Sequence, residues 1–165
     1  MRVYLPSTLT ALRSLLDTGV VGAAPLPGYA VTPSLREWYA EGDLEELEYV
    51  ALTLAAKASV RLLDADPDAV RRRVVIVADV PAAVVVGALH VDRAAVKVAD
   101  PVALRLVQAV HVDHPSAVED VTVAADAVVE ADLGSQDAAF RVEQAEGHEL
   151  QWYATQEIGP LLELS

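Results

Sequence analysis

Arg73-Val-Val-Ile-Val-Ala-Asp-Val80 is β-branched and almost continuously apolar. A strand that is apolar on both faces belongs inside a sheet, where neither face meets water. Residues 94–99 and 106–112 read as two further strands after it. The short connections between the three predict an antiparallel meander.

Upstream, Asp43-Leu-Glu-Glu46 has the spacing of a capping box, with Asp in place of Ser or Thr. The helix it opens is expected to run to about Leu63, with Leu44, Leu47, Val50, Ala51, Leu54, Ala58 and Leu62 as its apolar face. Its alanines make it a smooth rod suited to close packing. Earlier still, Arg2-Val-Tyr-Leu5 reads as a strand. Ser7 then caps a helix carrying Leu9, Leu12 and Leu16, and Gly19 ends it. A Gly/Pro loop leads from Gly19 to Gly28, with an extended Tyr29-Ala-Val31 after it. Thr32-Pro33 is a helix start, because Pro at the first helical position loses no needed N–H bond.

Downstream, Ser116-Ala-Val-Glu119 has capping-box spacing and opens a helix with Val118, Val121, Ala125 and Val128 as its buried stripe. Gly134 stops it, and a second helix spans Ser135 to Glu146. Leu150 to Ala154 reads as a last strand, and Ile158 to Leu164 as a terminal turn. The order is strand, several helices, three strands, two helices, strand. It predicts an α+β (or mixed α/β) two-layer sandwich, with helices on one face of a mainly antiparallel sheet. A ferredoxin-like plait with insertions is the nearest simple arrangement. No domain boundary or low-complexity tail interrupts the chain, so residues 1–165 are read as a single domain.

The net charge of −13 is unevenly placed. Ser116 to Ser165 holds eleven acidic residues against one base, Arg141, and so contributes −10 of it. Such a bias governs association rather than fold. It favours a basic protein partner and disfavours nucleic acid, whose phosphates need a basic surface. With no cysteine, disulfides, thiolate catalysis and cysteine-bound metals are excluded. The hydrophobic fraction of 53% comes from 29 Ala and 27 Val rather than from a membrane span. The longest uncharged run, Thr18 to Leu35, contains three prolines and three glycines. Arg13 and Asp17 interrupt the one candidate for a secretory leader, so the expected location is the cytoplasm. Ten arginines to two lysines, among so much Ala and Val, suit a GC-rich genome.

Two short repeats are candidate sites. The first is Leu89-His-Val-Asp92 and Val110-His-Val-Asp113, with His114 following the second copy. On a strand His111 and Asp113 share a face. With His114, and with Asp79 at the end of the apolar strand, they could bind a divalent metal or form a general-base pair. The plainer reading is that these groups end strands and bond their own loop backbone. The second repeat is Trp38-Tyr-Ala40 and Trp152-Tyr-Ala154, half of all the aromatic residues. In a chain of small side chains, Trp38, Tyr39, Trp152 and Tyr153 are expected to pack as one aromatic cluster in the core or at a pocket edge. The alternative is a ligand wall or a binding hot spot. Arg71-Arg-Arg73 is expected in solvent or paired with Asp64, Asp66 and Asp68. Glu130 to Asp137 lacks the ligand order of a calcium loop and reads as one helix ending and another beginning. There is no glycine-rich phosphate loop, nucleophile elbow or His-Glu-x-x-His, so no cofactor is predicted.

Five stretches carry a resemblance: Met1 to Pro6, Leu35 to Asp43, Val74 to Pro81, Val110 to Asp113 and Gly147 to Glu157. In their order the chain resembles a family of small, uncharacterised actinobacterial proteins classed as a domain of unknown function. The resemblance implies a bacterial, cytoplasmic protein complete as one domain, and it supplies no activity or catalytic residues. The expectation is a non-enzymatic binding or interaction module with a basic partner. The alternative is a small metal-dependent hydrolase built on His111, Asp113, His114 and Asp79. A third reading is a homo-oligomer whose Ala/Val-rich faces pair.

Overall fold

The structure, a computed structural model, describes residues 1–165. Its elements in chain order are β1 (Arg2–Ser7), α1 (Leu9–Thr18), β2 (Val20–Val21), β3 (Leu26–Ala30), α2 (Pro33–Trp38) and α3 (Leu44–Ala65). Then come β4 (Val74–Asp79), β5 (Val85–Gly87), β6 (Ala95–Val98), β7 (Val102–Ala103), β8 (Val107–Val112), α4 (Val118–Asp132), α5 (Gln136–Glu146), β9 (Gln151–Ala154) and α6 (Ile158–Glu163). Seven strands form one sheet in the order β5-β6-β3-β1-β4-β8-β9, every pair antiparallel, and β2 and β7 form a separate ribbon. The class is α+β with a mainly antiparallel sheet, as the order of elements predicts.

The apolar stretch from Arg73 does sit inside the sheet, as β4 between β1 and β8. It is apolar on both sides because both faces are covered. Val74, Ile76 and Ala78 share a core with Leu9, Leu12 and Leu15 of α1 and with Ile158, Leu161 and Leu162 of α6. Val75 and Val77 face Ala51, Ala55 and Ala56 of α3. Helices on one face only is therefore corrected: the short terminal helices α1 and α6 supply the second cover. Burying each large side chain such as Leu12 or Ile76 contributes about 1.5–3 kcal/mol. A further pair, α4 and α5, packs through Val121, Ala125, Val128 and Val142 against Val60 and Leu63 of α3.

The three-strand meander is not formed. β4 and β8 are neighbours, but β6 lies beyond β1 and β3, three strand spacings or about 14 Å from β4. The short link holds a strand of its own, β5, which turns back on β6 with Val85 opposite Val98. A ferredoxin-like plait is not confirmed: β3 and β4 flank β1 as in a split βαβ unit, with α3 between them in the chain, but β8 and β9, linked through α4 and α5, are direct antiparallel neighbours.

Local signals decide the helix ends. Thr8, not Ser7, caps α1: its Oγ1 accepts from the Ala11 N–H at 3.1 Å, while the Ser7 hydroxyl turns to the Thr8 carbonyl. Gly19 ends α1 at φ 76°, a conformation glycine adopts without strain. Thr32 and Asp43 cap α2 and α3 as expected, through the N–H groups of Leu35 and Glu46. The buried side of α3 is rotated from the expected one. Leu47, Ala51, Ala55, Ala56, Ser59, Val60 and Leu63 are buried, while Leu44 and Leu62 are exposed. Small residues meet the sheet because they let the helix approach it closely. Ser59 Oγ also donates to the Ser7 carbonyl at 2.7 Å and accepts from the Val74 N–H at 3.1 Å, pinning α3 to β1 and β4.

Candidate functional site

Three residues lie side by side across three strands: Val75 on β4, His111 on β8 and Trp152 on β9. All face the α3 side of the sheet. α3 covers Val75 completely, leaves His111 half-buried and leaves Trp152 60% exposed. The helix crosses the middle of the sheet, and the β8–β9 edge stays open beside it. A cleft of about 160 Å³ results. Tyr49, Leu52, Thr53, Ala56 and Lys57 of α3 form one wall, and His111 and Trp152 form the floor. The segment Glu146 to Leu150 contributes Glu146, His148, Glu149 and Leu150 to close the end. On the other side of His111 and Trp152 a shallower hollow continues toward Arg2, Tyr4, Glu45 and Glu48.

The closing segment is fastened from beneath. Arg73 and Asp113 form a buried ion pair, their side chains 4% and 0% exposed. Arg73 Nε and Nη2 donate to the two carboxylate oxygens at 2.8 Å, and the Arg73 backbone N–H donates to Oδ2 at 2.8 Å. Nη2 also donates to the His148 carbonyl at 2.7 Å. The His148 ring meets Asp120 of α4 at 2.7 Å. The cleft is therefore tied to β4, to the end of β8 and to α4.

Its charge pattern favours a cation. Glu45, Glu146 and Glu149 form no ion pair, and Lys57 is the one lining base without a salt bridge or hydrogen bond. Asp132 is paired with Arg61 at 2.8 and 2.9 Å, and this guanidinium holds its carboxyl low, with a smaller long-range contribution from Lys57. Arg2 is held by Asp79 at 3.0 Å and lies 3.9 Å from Glu48, and this guanidinium keeps the Asp79 carboxyl below the usual range. The Tyr4 hydroxyl donates to Glu48 at 3.1 Å; burial and that carboxylate push its pKa up. Burial pushes the His111 imidazole below its ordinary value of 6.5, which favours the neutral ring near pH 7. No protein group bonds to either His111 nitrogen, so the ring can accept or donate a bond to a ligand.

The sequence candidates are redistributed. His111 and Trp152, drawn from different repeats, meet in one cleft. Asp113 lies just past the end of β8, and both its carboxylate oxygens are taken by Arg73, so it does not act with His111 on a ligand. His114 turns outward, and its Nδ1 accepts from the Ser116 N–H at 3.1 Å, capping the 3-10 turn that leads into α4. Ser116 itself is thus inside that turn and does not cap the helix. Asp79 ends β4 about 20 Å along the strand from the Arg73–Asp113 pair, and is held by Arg2. No three His, Asp or Glu side chains gather where an ion could be held.

The aromatic residues do not form one cluster. Trp38, 61% exposed, and Tyr39 line a hollow on the opposite flank of α3, with Arg93 stacked 3.9 Å from the Trp38 ring centre. Arg93 precedes β6, five strand spacings or about 24 Å from β9. Tyr153 points to the other sheet face, against the α1–α6 core. Arg71-Arg-Arg73 is not a solvated run: Arg72 and Arg73 are buried, and Arg71 caps the end of α3 through the Leu63 and Asp66 carbonyls. Tyr49, Glu146 and Glu149 belong to the cleft without any motif that marks them in the sequence. Tyr49, Leu52 and Ala56 recur at helical spacing one side over from the expected face, and that was their only signal.

An antiparallel seven-stranded sheet clasped by helices, with a cleft at its β8–β9 edge, defines the chain as an α+β protein. It belongs to the family of unknown function DUF6912, which matches residues 1–162. No curated protein and no solved structure matches it. No helix is long and apolar enough to cross a membrane.

Proposed function

We propose that this protein is a binding module, and that the cleft beside α3 takes a cationic side chain presented by a basic segment of a partner protein. One observation carries the reading: the exposed Trp152 indole lies among Glu45, Glu146 and Glu149, carboxylates with no cation of their own. A guanidinium over an indole gains about 0.5–2 kcal/mol, more when water is excluded. His111 adds a neutral acceptor at the floor. The −10 charge of the last fifty residues supplies a field that draws a basic segment toward this end of the molecule. Lys57 on the α3 wall opposes the cation.

Titration calorimetry with hexa-arginine tests this. Binding is expected at low salt and is expected to weaken several-fold between about 50 and about 500 mM NaCl, as screening shortens the reach of the carboxylates. The Glu146→Gln/Glu149→Gln protein is expected to bind about three- to ten-fold more weakly. If wild type does not bind the peptide, or binds it equally well with both carboxylates neutralised, the reading fails.

A further inference from the structure

The opposite flank of α3 carries a site of different chemistry. Its hollow of about 530 Å³ is in the size range of small-molecule sites. Leu35, Val50, Leu54 and Leu89 give it an apolar lining, and Trp38 and Arg93 stand at its edge. Arg93 lies over the Trp38 ring, yet its guanidinium has no salt bridge and no hydrogen bond. The neighbouring acid, Asp92, also lines the hollow, but it forms no ion pair with Arg93; its Oδ1 accepts from the Ala94 N–H at 2.9 Å. The pair is also held in place, because the Thr32 hydroxyl that caps α2 donates to the Arg93 carbonyl, and Leu35, Leu47 and Ala94 are buried together beneath. The Arg93 guanidinium is thus unpaired and held against Trp38 at the edge of an apolar hollow.

We propose that this hollow binds a small amphiphilic carboxylate, its head group on Arg93 and its hydrocarbon body along Leu35, Val50, Leu54 and Leu89. A planar guanidinium matches a carboxylate with two parallel hydrogen bonds, and a single cation matches a single negative charge. The indole keeps the guanidinium oriented without neutralising it. Apolar burial of the ligand body supplies affinity, and Arg93 supplies the choice of acid over alcohol.

The test is titration of the Trp152→Phe protein, whose remaining indole is Trp38, with decanoate and decanol below their aggregation limits. Decanoate is expected to change Trp38 emission saturably, and decanol to bind at least ten-fold more weakly. Arg93→Gln is expected to remove that preference, lowering decanoate affinity about ten-fold or more and leaving decanol unchanged. Glu146→Gln/Glu149→Gln is expected to leave decanoate binding untouched, which separates this site from the cation cleft. Absence of saturable decanoate binding, equal affinity for acid and alcohol, or an Arg93→Gln protein that binds as wild type does would each overturn the proposal. So would light scattering that shows the hollow closed by a second copy of the chain and unresponsive to decanoate.

Discussion

Trp38-Tyr39-Ala40 and Trp152-Tyr153-Ala154 are the same three residues placed in two kinds of backbone. The first copy ends a helix, where neighbouring side chains are about 100° apart, so Trp38 and Tyr39 both line one hollow. The second copy lies in a strand, where neighbours point to opposite faces. Trp152 therefore floors the cleft while Tyr153 enters the α1–α6 core. The charges beside the two indoles also differ. Arg93 stacks on Trp38, and unpaired carboxylates surround Trp152. An identical tripeptide is thus turned toward an anion on one flank of α3 and, on our reading, toward a cation on the other.

The largest effect is expected beneath the second copy alone. Asp113→Asn leaves the Arg73 guanidinium buried without its carboxylate, which costs about 3–5 kcal/mol in such pairs. Urea unfolding monitored by far-UV circular dichroism checks it. A loss under about 1 kcal/mol would mean that the ion pair does not hold the Trp152 side together. Ser59→Ala comes next and touches both flanks, since it removes the hydroxyl that joins α3 to β1 and β4 and leaves the buried Val74 N–H unpaired. About 1–3 kcal/mol is expected in the same assay. It should leave the ratio of hexa-arginine to decanoate affinities unchanged, because neither site contains Ser59.

A smaller effect separates the copies by function. Trp152→Ala is expected to lower hexa-arginine affinity about ten-fold while Trp38→Ala lowers it less than about two-fold, measured by calorimetry. The smallest is a pH effect confined to the cleft. The His111 pKa is lower folded than unfolded, so the unfolded chain binds the extra proton first. The contribution of the neutral ring is fully present above pH 6.5 and is lost as pH falls toward the folded value. His111→Gln should flatten that part of the stability–pH curve. The depressed carboxyls of Asp79 and Asp132 act lower: their contributions are present above 3.8 and lost as pH falls through their folded values. A curve unchanged between wild type and His111→Gln would show that the ring is solvated in the folded state.

Much of the secondary structure was legible because its signals are local. Thr32-Pro33, Asp43, Gly19, Ser135 and Gly134 mark helix ends through side-chain caps or backbone conformations that their own residues determine. The apolar run in β4 located a covered strand. What it did not reveal was the far face: the apolar side of α1 is legible, but nothing along the chain says which face of the sheet it meets. Strand neighbours were illegible for a related reason: the link from β4 to β6 hides a three-residue strand. In the site, His111 and Trp152 were read separately because nothing along the chain relates residues from two strands until their register is known. Asp113 looked like a ligand since its actual partner, Arg73, lies at a distance of 40 residues.

On the proposed reading Trp152, not Trp38, meets the basic partner. The direct measurement is the fluorescence of two single-tryptophan proteins, Trp38→Phe and Trp152→Phe, titrated with hexa-arginine at low salt. A saturable emission change is expected in Trp38→Phe, which retains Trp152, and a flat response in Trp152→Phe. Equal responses from the two proteins, or a response from Trp38 alone, would contradict it.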